Sequence, residues 1–139
     1  MIRVTLPSLI VVDKPTPNEN IYSLDVLTEI IREANSRLVN ESVPCYKSLD
    51  RRDLVVVIGY VKRLALVESE LLIEVEFIDT AEARPFVELL AAKCSISLNT
   101  MIEVELPSDI EKLSNGTSLI KNGKLVAVAP YLVPIEVDS

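Results

Sequence analysis

The sequence predicts an α+β fold, a mixed and mostly antiparallel barrel-like sheet carrying two main helices. Two observations lead there. Hydrophobic residues make up 49% of the chain and aromatics only 4%, so the core must be built from Val, Ile and Leu, and β-branched side chains suit a pleated sheet better than a helical turn. The elements also run strand, helix, strand pair, helix, then mostly strands. Helices do not follow every strand, which disfavours a doubly wound parallel sheet. The 139 residues fit a single domain, 1–139, that buries about two-thirds of its unfolded surface.

Ile2-Arg3-Val4-Thr5-Leu6 alternates and reads as a strand halted by Pro7, with a second short run at residues 9–12. Residues 13–20 hold two prolines and several turn formers and read as a loop. A helix follows, N-capped by Ser23, with Asp25 in its first turn. Leu27, Ile30, Ile31, Ala34 and Leu38 form its apolar stripe, and Glu33 and Arg37 pair at i,i+4 on the exposed side. Residues 40–49 are irregular around Pro44.

Residues 54–67 predict a long strand bent or bulged at Gly59. Glu68-Ser69-Glu70 turns it back into residues 71–78, where Ile73, Val75 and Phe77 alternate with Glu74 and Glu76. The second helix starts at Pro85, with Phe86, Leu89 and Leu90 on its apolar side. Strands follow at 94–98 and 101–106. Ser108-Asp109-Ile110-Glu111 has capping-box spacing and predicts a short helix. Asn122-Gly123 between apolar runs predicts a type I′ hairpin. The last strand ends near Val128, before Pro130 and Pro134.

Composition excludes several function classes. The net charge of −7 and the lack of any basic stripe oppose nucleic-acid binding. The longest apolar run, residues 54–58, falls far short of the roughly 20 residues that span a bilayer. The first residues lack signal-peptide organisation, which predicts an intracellular origin. That origin makes the sequons at Asn40 and Asn115 accidental. Cys45 and Cys94 are widely spaced and have no histidine partner, so each is read as a buried free thiol, with no metal and no cofactor. Three glycines, Gly59, Gly116 and Gly123, cannot build a phosphate loop.

The absence of histidine from the chain bears on every catalytic candidate. Ser95 and Ser97 follow the second helix on a predicted strand, but a serine hydroxyl attacks poorly without a base to take its proton. Lys93 or Lys47 could serve only if burial depressed its pKa. Glu74 with Glu76, and Glu103 with Glu105, share strand faces as paired glycosidase carboxylates would, but in so acidic a chain they are read as a solvated sheet face. No loop carries the Asp/Asn spacing of a Ca²⁺ site.

The segment Asn20-Ile21-Tyr22-Ser23-Leu24-Asp25-Val26-Leu27 resembles the opening of the tailed-phage prohead maturation proteases, relatives in fold of the herpesvirus assemblins. Val57-Ile58-Gly59-Tyr60-Val61 and residues 72–80 resemble their paired strands, which end in an Asp-Thr step, here Asp79-Thr80. Residues 85–92 then match their short helix. The similarity spans residues 20–98 and extends weakly through Ile135. It implies that Ser97 stands at the nucleophile position, without the family's flanking glycines and arginine. The family's histidine would fall within residues 43–50, where this chain has none. The resemblance therefore implies a protease fold in a viral-particle setting, and the departures imply that the fold serves as a packing or binding surface.

The resulting expectation is a non-enzymatic phage virion protein, a capsid decoration (cement) or head-assembly component on an inactive protease fold. Its partners would be the major capsid protein, other head proteins or copies of itself, in the phage head after synthesis in the host cytoplasm. Two alternatives stay open: a working maturation protease using Ser97 with an unusual base, and a small binding module unrelated to capsids. The apolar segments at residues 9–12 and 127–135 are read as ordinary strands, with arms laid on a neighbour as the other reading.

Overall fold

In a computed structural model, which describes residues 2–50, 52 and 55–132, the chain runs through β1 (Ile2–Val11), β2 (Asn20–Tyr22), α1 (Leu24–Arg37), β3 (Pro44–Tyr46), β4 (Val57–Val67), β5 (Glu70–Phe77), α2 (Arg84–Ala91), β6 (Ser97–Glu103), β7 (Ile110–Lys112), β8 (Ser118–Ile120) and β9 (Lys124–Tyr131). Six strands close a barrel in the order β1-β5-β4-β3-β9-β6, and β2-β8-β7 form a small separate sheet. Within the barrel β3–β9 and β1–β6 pair parallel, and the other neighbours antiparallel. The α+β class and the mixed, mostly antiparallel barrel are as the sequence predicts.

The best-paired part is the meander β1-β5-β4. In β5, Leu71, Ile73, Val75 and Phe77 are buried while Glu74 and Glu76 face partly outward, the alternation of a half-buried strand. β4 turns into β5 through Glu68 and Ser69, whose φ angles are 50° and 70°. A two-residue hairpin demands this left-handed pair to match strand twist, even without glycine. The register of β4 against β3 shifts between Gly59 and Val57, the irregularity the sequence predicts at Gly59, and the glycine meets a second need as well. A Cβ there would lie 2.5 Å from the Glu76 carbonyl oxygen, so its bare backbone is what lets β5 approach.

Helix α1 begins as predicted, with the Ser23 hydroxyl accepting from the Val26 N–H at 3.3 Å. Its buried side chains Leu27, Ile30 and Ala34 join the barrel core. Asn35 ties it to β4: its carboxamide donates to the Leu64 carbonyl and accepts from the Leu64 N–H, both at 2.9 Å. The Glu33–Arg37 pair forms at 2.8 Å, but the Arg37 side chain is only 11% exposed because it also donates to the Leu125 carbonyl on β9 at 2.6 Å. It is thus a helix-to-barrel anchor rather than a solvent pair.

Several local expectations give way to sheet pairing. Pro7 does not halt β1 and Pro130 does not end β9; they face Leu72 and Leu98. Antiparallel ladders alternate bonded and non-bonded pairs, and a proline fits the latter because nothing asks for its missing N–H. Beyond Pro7 the register of β1 against β5 shifts, and there the buried Ser8 hydroxyl accepts from the Ile10 N–H at 3.1 Å. The predicted strands at 94–98 and 101–106 merge into the single β6. The 108–111 segment forms a 3-10 turn, Pro107–Asp109, and then β7 instead of an α-helix. Asn122-Gly123 is no hairpin: β8 pairs with β2 and β7, not with β9, and neither residue has a positive φ. Residues 40–49 contain the short β3, and Asn20 opens β2. Residue 54 of the predicted long strand, and the tail around Pro134 and Ile135, lie outside the described residues.

Candidate functional site

The route into the Ser97 position is set by how α2 ends. The Cys94 N–H donates to the Leu89 carbonyl and the Lys93 N–H to the Leu90 carbonyl, both at 3.0 Å, with Lys93 at φ 60°. This is a Schellman closure with lysine in the left-handed position usually given to glycine. Ile96, 2% exposed, then anchors the chain, and β6 starts at Ser97, which is half-buried and faces Tyr131 across the ladder. Ser95 is exposed in the connection.

Register places the 43–50 segment at the same end of the barrel. Cys45 on β3 faces Val128 on β9, and Val128 faces Thr100 on β6. β3 runs parallel to β9 while β6 runs antiparallel to it. Moving from Val128 to Tyr131 therefore leads back to Ser97 on one side and forward past Tyr46 on the other. Two strand spacings amount to about 10 Å, so β9 alone separates the segment where the resemblance puts a histidine from the serine position. The backbone thus brings the two regions together, while the residues present there are Tyr46, Lys47 and Ser48.

Neither lysine that the sequence offered as a base for Ser97 is buried. Lys47 and Lys93 are both exposed, so neither has the burial that a lysine base requires. Asp50, also on the 43–50 segment, accepts the Arg52 backbone N–H at 3.0 Å. That bond, with the Arg52 side chain, holds its carboxyl below the usual carboxylate range and makes it a weaker base. Cys45 is fully buried, and burial pushes its thiol up to about 12. Cys94 is exposed, contrary to the buried thiol the sequence suggested, because the closure of α2 turns residue 94 outward from the core.

The carboxylate pairs also resolve. Glu74 and Glu76 share the outer face of β5 with Arg3 between them, at 3.8 and 2.8 Å. Lys62 stands 4.0 Å from Glu76. The Arg3 hydrogen bond keeps the Glu76 carboxyl below its ordinary range, so Glu76 is not poised to donate a proton. Glu103 lies on β6, but Glu105 falls beyond the strand's end; with Glu33 and Lys124 they border a cleft of ≈ 340 Å³. Among the described residues no three His, Cys, Asp or Glu side chains group as metal ligands, and no helix is long and apolar enough to cross a membrane.

One concavity at this part of the barrel was not foreseen. A cleft of ≈ 290 Å³ opens between Leu9 and Ile10 of β1 and Asn99 to Ile102 of β6, roofed by Thr16, Asn18 and Leu49. Its walls come from four separate stretches of chain, and none carries a catalytic motif. The sequence marked residues 9–12 as an apolar run and residues 13–20 as a loop, but nothing in it brought the two together as one cleft.

No family model matches this chain, and no curated protein matches its sequence. Among solved structures, that of the bacteriophage T4 capsid assembly protease superposes with a TM-score of 0.73 at 9% sequence identity, covering 95% of this chain and 82% of that one. The barrel, with the Ser97 strand and the 43–50 segment flanking β9, therefore has the fold of a phage capsid assembly protease.

Proposed function

We propose that this chain is a head protein of a tailed phage, a decoration or assembly component that uses the capsid-protease fold as a binding surface instead of as a protease. The observation that carries this reading is chemical. The fold sets a half-buried serine one strand away from the 43–50 segment, in a chain with no histidine and with Lys47 and Lys93 both in solvent. An oriented hydroxyl without a proton acceptor is a poor nucleophile. The proposed partners are the major capsid protein, other head proteins and further copies of this chain, with the phage head as its location.

Mass spectrometry of purified proheads and virions tests this. The expected result is the intact chain in high copy number in finished heads. A second reading, a maturation protease using Ser97 with another base, is favoured by the fold itself. It predicts a scarce or self-cleaved chain, and an uncleaved major head protein when Ser97→Ala replaces the wild type. Absence from both particles would leave only a binding module unrelated to capsids.

A further inference from the structure

The chain contains two Asn-Gly steps, Asn115-Gly116 and Asn122-Gly123, each with its asparagine exposed. Glycine has no Cβ to shield its own amide nitrogen, so that nitrogen can approach the preceding carboxamide. The fold treats the two steps in opposite ways. Asn115 is tied down: its Oδ1 accepts the Thr117 N–H at 3.1 Å and the Thr117 hydroxyl at 2.6 Å. The Gly116 N–H is occupied elsewhere, donating to the Leu113 carbonyl at 3.2 Å. Asn122 is instead folded back over its own successor, its Oδ1 3.0 Å from the Gly123 nitrogen. No backbone carbonyl among the described residues takes that N–H. Packing keeps the step bare, because a Cβ at residue 123 would lie 2.5 Å from a methyl of Ile102 on β6. Asn122 and Gly123 also line the ≈ 340 Å³ cleft beside Glu33, Glu103, Glu105 and Lys124.

We propose that Asn122 is a site of spontaneous modification, converting to aspartate and isoaspartate in the folded chain while Asn115 is spared. The carboxamide carbon is bonded to Oδ1 and is therefore held near the Gly123 nitrogen. A turn about Cβ–Cγ presents its face for attack, the arrangement of a near-attack conformer. The nitrogen gives its proton to solvent and bonds to Cγ. The Cγ–Nδ2 bond breaks, Nδ2 takes a proton from solvent and leaves as ammonia, and a five-membered succinimide closes. Water then opens the ring without any oxidant or reductant: attack at Cγ yields aspartate, attack at the main-chain carbonyl yields isoaspartate. Either product sets a new negative charge beside Glu33, Glu103 and Glu105. Isoaspartate also adds one carbon to the link from β8 to β9, which joins the small sheet to the barrel. The chemistry is independent of the head-protein reading.

The test ages the folded full chain at mildly alkaline pH, digests it at acid pH and maps both asparagines by tandem mass spectrometry, with isoaspartate methyltransferase labelling to tell the two products apart. Asn122 should convert faster than Asn115 by about tenfold or more, because Asn115 must first give up two hydrogen bonds. In urea, where neither constraint survives, the two rates should converge. Thr117→Val removes the hydroxyl that holds Asn115 and should speed conversion there while leaving Asn122 unchanged. Asn122→Gln, which must close a larger ring, should abolish the fast phase. Equal rates in the folded chain, Asn115 converting first, or Asn122 staying intact in the folded chain while it converts in urea would overturn the site. A preference for Asn122 that persists undiminished in urea would belong to the local sequence and would overturn the part assigned to the fold.

Discussion

Asn35 does for β4 what a neighbouring strand would otherwise do, filling both the donor and the acceptor of Leu64 from helix α1. Replacing it with Leu would strand two backbone groups, and urea denaturation should show a loss of about 2–3 kcal/mol. Arg37 and Glu33 give a pH-dependent counterpart. The Arg37 hydrogen bond holds the Glu33 carboxyl below its ordinary value of 4.5, so the pair's stabilisation is present above that pH. It fades as pH falls through the lowered folded-state value. Glu33→Gln should therefore lose less stability than the wild type between about pH 5 and about pH 3, as read from thermal midpoints. The sequence showed the i,i+4 spacing of this pair but not its burial, because the covering carbonyl belongs to Leu125, far along the chain. Gly59 was similarly visible as special, yet the reason, the Glu76 carbonyl on the next strand, was not. Gly59→Ala should cost about 1–3 kcal/mol, since backbone must move to admit the methyl.

Elements with strong internal periodicity were legible: α1 with its Ser23 cap, the alternating β5, and α2 from Pro85. Elements decided by their partners were not. Asn122-Gly123 has the composition of a tight turn, but β8 is held by β2 about a hundred residues upstream, and a dipeptide cannot register that. The left-handed turn sits instead at Glu68-Ser69, where both residues endure a conformation that asparagine and glycine tolerate better. Exchanging them for Asn-Gly should raise stability by about 0.5–1 kcal/mol without moving the strands, measurable as a higher urea midpoint at unchanged slope. The Asp-Thr step before α2 has a physical role too. The Thr80 hydroxyl accepts the Ala83 N–H at 3.2 Å, and its carbonyl accepts the Arg84 N–H at 3.1 Å. Thr80→Ala should cost about 1 kcal/mol by freeing that first amide, again read from denaturation.

Across the whole molecule, the barrel is extensively paired through β1-β5-β4 and β6-β9 and least paired where β1 meets β6. Hydrogen exchange should follow that gradient, slowest in β5 and fastest in β7, whose three residues are all exposed. The sequence conveyed the class of fold, because composition and order of elements constrain it. The candidate site was only partly legible. Ser97 was picked out by its place after a helix, and the missing histidine by simple count. The cleft beside it was not, since Leu9, Asn18, Leu49 and Asn99 become neighbours only after a barrel has closed.

The contrast between the two thiols supplies a clock. Cys94 is open to solvent and Cys45 is sealed at 0% exposure, so an alkylating reagent should modify one sulfur at once. The second should wait for an opening that separates β3 from β4 and β9. The ratio of singly to doubly labelled chains over time would then report how often the shell around Cys45 breathes, with the fast site as internal standard. Any partner that clamps the barrel would lengthen the interval without any other probe being attached.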